Sequence, residues 1–199
     1  MKKIYILALM SVFVFTIACK SDKKEANANI ESGTDNTEAK KAIDPSANIG
    51  KKVWVVLNSK SGSKVTGNVI FEQEDGRVSM TAVADGLESG LHAIHLHEKS
   101  DCSSEDATST GGHWNPTGQP HGKWGATEGY HKGDIGNFTV NDSGQGTITF
   151  ATDEWCIGCG DETKDILGKA VIIHQGVDDF TSQPSGAAGS RVSCGGVIE

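Results

Sequence analysis

The chain has 199 residues, and its 26 acidic against 18 basic side chains give a formal net charge of −8. That balance excludes a role centred on the nucleic-acid backbone, which needs a basic footprint. It also means that an anionic ligand is repelled at long range unless a local positive site opposes the field.

Residues 1–18 begin "MKKIYILALM" and end at Ala18, directly before Cys19. Lys2 and Lys3 followed by an apolar run read as a signal peptide, too short and wrongly flanked for a membrane span. A small residue before cysteine is the junction of a bacterial lipoprotein signal, with Thr16 standing where that pattern usually has Leu. Cleavage before Cys19 removes two lysines and no acid, which takes the charge from −8 to −10. Residues 19–48 are polar and charged with no aromatic, the composition of a flexible tether. The expectation is an exported protein of the cell envelope, in the periplasm or on the outer surface, touching the membrane only through lipid on Cys19. Four further cysteines then remain in a disulfide-permissive compartment.

Residues 49–199 have the size of one domain. Runs rich in Val, Ile, Thr and Phe, bounded by Gly, Asn, Asp or Ser, predict strands over residues 52–58, 64–73, 77–85, 91–97, 136–141, 145–152 and 168–175. No amphipathic helical pattern lies between them, so the expected class is all-β, an antiparallel sandwich or barrel. Two long segments break the rhythm, Glu98–Asp134 and Gln175–Arg191. Structureless stretches of that length carry function or are disordered.

Histidine is the most informative residue type. The stretch "LHAIHLH" holds three of the seven, His92, His95 and His97. On a strand His95 and His97 share one face and His92 takes the other. His113, His121 and His131 lie in the first long segment, Asp134 follows His131 by three residues, and His174 ends a predicted strand. Imidazole suits copper and zinc, and a carboxylate added to histidines suits zinc.

In order along the chain, "HLHE" (95–98), "GGHWNP" (111–116), "HG" (121–122), "HKGDIGN" (131–137), "VIIH" with the later "DD" (171–179) and "GAAGSRVSCGGVI" (186–198) resemble copper/zinc superoxide dismutase. The resemblance implies an eight-stranded antiparallel Greek-key barrel with two long functional loops. It implies copper on His95, His97, His113 and His174, and zinc on His113, His121, His131 and Asp134, with His113 bridging the two. It further implies Asp178 as the carboxylate linking outer nitrogens of copper and zinc ligands, which would fix ring orientation. Arg191 would guide the anion, and Cys102 would pair with Cys194. His92 matches a position that is not a ligand. The implied activity is dismutation of superoxide to O2 and H2O2 by a redox-cycling copper beside a structural zinc, with Arg191 and His113 as the catalytic residues. A homodimer is compatible with the family, whose bacterial members assemble in different ways.

Two features depart from that pattern. "SSEDATSTGG" lengthens the stretch between Cys102 and His113, and the segment between His174 and Arg191 contains no lysine. "WCIGCG" (155–160) matches no family motif. Cys156 and Cys159 as a thioredoxin-like redox pair would want a βαβ context, which is absent. As a zinc half-site they would want two more thiols or free histidines, and none is spare. A local structural disulfide is the preferred reading. The alternative for the whole chain is a non-enzymatic copper-binding or copper-delivery protein on the same fold. Such domains typically lose a ligand or the arginine, and this sequence retains all of them.

Overall fold

Alternation of apolar and polar residues decides the first half of the domain. In β1 (Lys51–Ser59) Val53, Val55 and Leu57 are buried while their neighbours face solvent. β2 (Thr66–Glu74) buries Val69 and Phe71, and β3 (Arg77–Asp85) buries every second residue from Val78 to Ala84. That period of two is the signature of a sheet packed on one face. β2 and β3 are joined by Asp75-Gly76, both at positive φ (49° and 78°), the geometry of a two-residue hairpin turn. The structure is a computed structural model and describes Gly50–Glu199. The expected signal peptide, the tether and Cys19 lie outside the described residues.

The remaining strands are β4 (Gly90–His97), β5 (Gly136–Val140), β6 (Gly146–Thr152), β7 (Ala170–His174) and β8 (Arg191–Gly196). All pairings are antiparallel, and the strands close into a barrel in the order β1-β2-β3-β6-β5-β4-β7-β8. The chain skips two places from β3 to β4 and two more from β6 to β7, which makes the barrel a Greek key. Phe71, Met80, Ile94, Leu96, Val171 and Ile173 meet in its interior.

β4, β7 and β8 behave differently from the first three strands. From His92 onward β4 is buried at every position, and so is all of β7. Their inward side chains (Ile94, Leu96, Val171, Ile173) join the core, and their outward ones are covered by the segments 98–135 and 175–190. The outer face of this half of the barrel is thus a second interior, and the histidines occupy it.

The seven predicted strands are all present within a residue or two. The eighth, "RVSCGG", is a strand without strand-like composition. Its glycines have a reason: a Cβ on Gly195 would press on Val55 and the Val56 carbonyl, and one on Gly196 would meet the Ser100 carbonyl at 2.7 Å. Close backbone approach replaced the β-branched residues that usually mark a strand. The structure also has a third long connection, residues 153–169 between β6 and β7, which carries the Cys156–Cys159 pair.

Candidate metal centre

His95 and His97 project from the outer face of β4, opposite Ile94 and Leu96, as their spacing requires. His174 is the last residue of β7, at a register shift that follows Ile173. His113 is carried to them by the first long loop through a bridge pairing His97 with His113. That loop is fastened to β4: Trp114 N–H donates to the Leu96 carbonyl (2.8 Å), Leu96 N–H to Gly133 (2.9 Å) and Gly133 N–H to Trp114 (3.0 Å). Gly133 is required there, because any side chain would collide with the Leu96 carbonyl. The same fastening sets His131 and Asp134 beside His113.

His113 stands between two groups. Its ring centroid lies 4.0 Å from that of His95 and 5.0 Å from that of His97. On its other side are His121 at 5.3 Å and His131 at 5.7 Å. Each group of four, His95, His97, His113 and His174, and His113, His121, His131 and Asp134, has one donor atom per residue within 4.8 Å of the others. All of these side chains are buried, and none of the seven positions is more than 6% exposed.

The nitrogens sort into inner and outer sets. Nε2–H of His95 donates to Asp178 Oδ2 (2.9 Å), and Nε2–H of His121 donates to Asp178 Oδ1 (2.8 Å). Nδ1–H of His97 donates to the Gly111 carbonyl (3.0 Å), and Nδ1–H of His174 to the Gly189 carbonyl (3.2 Å). These contacts leave the opposite nitrogens free to act as ligands. Four of those inner atoms, His95 Nδ1, His113 Nε2, His121 Nδ1 and His131 Nδ1, are buried without a hydrogen-bond partner; among the described residues Ser193 Oγ is the only other such side-chain atom. Nδ1 of His121 and of His131 lie 3.0 and 3.2 Å from Asp134 oxygens, close enough for ion pairs but not aligned as hydrogen bonds. Nε2 of His97 faces Nε2 of His174 at 3.4 Å. Orphaned buried atoms are rare in folded proteins, and their concentration here fits two cations, one on four imidazoles and one on three imidazoles and a carboxylate.

Protonation points the same way. Burial, reinforced by neighbouring histidines, drives His97 and His174 well below the usual imidazole range. Burial lowers His113 to about 4, with Asp134 partly opposing. For His121 burial also pulls downward, but Asp134 and Asp178 outweigh it and raise the group to about 9. Asp134 stays ionised far below the ordinary carboxylate range: burial resists this, and contacts with His113, His121 and His131 prevail. In the first group His97, His113 and His174 are thus held neutral, and the second group is built around a fixed negative charge.

Arg191 begins β8 and lines a cleft of about 360 Å3 together with His97, His113 and His174. Its Nη1 donates to the Ala107 carbonyl (2.8 Å) and to Thr110 Oγ1 (3.0 Å), which hold the guanidinium at the cleft wall. His92 points away from the ligand set, with Nδ1 at the His174 carbonyl (3.1 Å) and Nε2 at the Glu88 carbonyl (2.9 Å). Cys102 and Cys194 are bonded to each other, as are Cys156 and Cys159.

The histidines, Asp134, Asp178 and Arg191 named from the sequence are therefore brought together. Three contributors were not named. Ala107 and Thr110 orient Arg191, but nothing in "SSEDATST" distinguishes them. Gly186 matters because a Cβ there would overlap Asp178 Oδ1 and come within 2.7 Å of His121 Nε2. Its position in the motif 186–198 was the available signal.

Residues 65–198 match the sequence model of the family described as copper/zinc superoxide dismutase. Among solved structures, the chain is similar to a crystal structure of a double mutant of a SOD-like protein from Bacillus subtilis. The two share 31% identity at a TM-score of 0.64, over 73% of this chain and 97% of the other.

Proposed function

The chain belongs to the copper/zinc superoxide dismutase family, and from that premise we propose that it is an active superoxide dismutase exported to the cell envelope and held there by lipid on Cys19. The observation that carries this reading is a complete set of inward-facing donors beside a cation that is free to meet an anion. His95 Nδ1 and the Nε2 atoms of His97, His113 and His174 would hold copper. His113 Nδ1, His121 Nδ1, His131 Nδ1 and an Asp134 oxygen would hold zinc. Copper supplies one-electron exchange with superoxide in both directions, and zinc, which has no redox chemistry, supplies charge and rigidity.

The protein's own part is positional and electrostatic. Arg191 gives the cleft a fixed positive charge with paired donors, the geometry that suits a small anion. In a chain of −8 without a lysine between residues 175 and 190, that charge and the bound ions must overcome the general repulsion. His113 can accept a proton on Nε2 whenever that atom is not a ligand, and its Nδ1, 2.8 Å from Asp134 Oδ1, would be held by the zinc it shares with that carboxylate, which would keep the ring in register. Asp178 ties His95 to His121, so that the two halves of the centre share one support.

Copper storage or delivery is the competing reading. The full ligand set and Arg191 favour dismutation, because a carrier has no use for an oriented guanidinium beside its cargo. The test is superoxide decay measured on metal-loaded and metal-stripped protein. Fast decay that requires copper supports the proposal; stoichiometric copper binding without accelerated decay would replace it with the carrier.

A further inference from the structure

The connection 153–169 carries the one motif that the proposed function leaves unused, a group of possible donors that shares no residue with the histidine centre. Cys156 is buried at its edge and Cys159 is exposed. A bridge pairing Cys156 with Asp165 returns the chain alongside the first cysteine. The Asp165 carboxylate accepts from the N–H groups of Gly158 (2.9 Å), Gly160 (2.9 Å) and Leu167 (3.1 Å).

This loop is held without help from its sulfurs. Cys156 N–H donates to the Lys164 carbonyl (2.8 Å) and Ile166 N–H to the Cys156 carbonyl (3.0 Å). Lys51 Nζ donates to the Ile157 carbonyl (2.7 Å), and Ile157 N–H donates to Gln73 Oε1 (2.8 Å). Trp155 and Ile157 are rooted in the core. A disulfide between residues three apart closes almost no loop and adds little chain-entropy stabilisation. In the oxidised form the two sulfurs and an Asp165 carboxylate oxygen lie within 4.8 Å of one another, and the backbone contacts above would keep the three residues together when the disulfide opens and the sulfurs separate.

We propose that Cys156, Cys159 and Asp165 form a second metal site, present only when the Cys156–Cys159 disulfide is reduced, that binds a thiophilic d10 cation of the zinc type at the protein surface. Two thiolates and a carboxylate are a donor set zinc accepts, and the exposed side at Cys159 leaves a fourth position for water. The chemistry balances. An external dithiol passes two electrons and two protons to the protein disulfide and itself becomes a disulfide. The divalent ion then displaces two protons from the thiols, leaving a net charge of one negative on the site. The proposal is independent of dismutase activity.

To test it, the metallated protein is treated with a dithiol, freed of reductant without air, and titrated with Co2+ and then Zn2+. Reduction should add one Zn2+ per chain and produce a thiolate-to-cobalt absorption band, which the histidine centre has no sulfur to give. Both should vanish in Cys159→Ser, and Asp165→Asn should weaken the added site. Alkylating the reduced wild-type protein should label Cys156 and Cys159 and abolish the band, which keeps the test intact should Cys159→Ser not fold. No label on Cys156 and Cys159 after dithiol treatment, no added ion, or an added ion that survives alkylation or Cys159→Ser would each overturn the proposal.

Discussion

His113 carries the densest set of obligations in the protein, with one nitrogen for each group of ligands and Asp134 fixing its ring. The two groups should therefore fail separately when they are attacked away from His113. His97→Ala removes one Nε2 from the four-imidazole group and leaves Asp134, His121 and His131 untouched. Metal analysis should show copper and activity lost with zinc largely retained. Asp134→Ala removes the fixed charge from the other group; zinc and the unfolding midpoint should fall first, because a bound ion stabilises the folded state by mass action. Equal copper loss in both variants would contradict the division. Arg191 should behave unlike any ligand. Arg191→Glu is expected to lower kcat/KM by roughly 10-fold or more, within the range set by electrostatic steering, while copper content stays constant. Arg191→Lys should keep part of the rate, since charge remains but the forked donors do not. The wild-type rate should fall with rising salt, as exposed charge is screened over about 8–10 Å.

The element that positions Arg191 is the loop segment around the short 3-10 turn Thr108–Thr110, and that segment is tied down at two points. Cys102 is bonded to Cys194 of β8, and Ala107 packs with Ala170, Ile172 and Cys194 on the outer face of the barrel. The turn then presents Ala107 O and Thr110 Oγ1 to the guanidinium. The disulfide spans 92 residues, for which the chain-entropy relation gives about 4–5 kcal/mol. Cys102→Ala with Cys194→Ala should therefore depress the denaturation midpoint strongly. It should also lower kcat/KM in fully metallated protein, through loss of the Arg191 support. Cys156→Ala with Cys159→Ala should change the midpoint far less, since that link closes a separation of three. Comparable losses in the two double variants would show that loop closure is not what the first disulfide contributes.

At the scale of the whole molecule the barrel is a scaffold whose outer half-surface was made into a second interior, and pH should expose the cost. In metal-free protein His113 titrates near 4, against an ordinary value of 6.5, and His97 and His174 are also lowered. The unfolded chain takes up these protons first, so stability must fall as pH drops from about 6.5 toward 4. His121 acts in the opposite sense. Raised to about 9, its contribution is complete below the ordinary value and is lost as pH climbs through 9. Denaturant midpoints of metal-free protein across this range should therefore peak near pH 6.5 and decline on both sides. A steady rise from pH 4 to 9 would mean that His121 is not held between Asp134 and Asp178.

What was legible in the sequence was whatever local periodicity and residue type express. The period of two separated His95 and His97 from His92 and marked seven strands, and the ordered histidines with Asp134 and Asp178 announced the donor chemistry. β8 escaped notice because its glycines answer to neighbouring backbones and not to its own strand. Asp165 escaped as a partner of Cys156 and Cys159 because it is an ordinary acidic residue until the chain doubles back. Which nitrogen of each histidine points inward, and which carbonyl holds Arg191, could be settled only by tertiary structure. Those choices depend on groups brought together by strand register and loop closure, such as Asp178 at His95 and Ala107 at Arg191, and no local sequence pattern encodes a contact between distant residues.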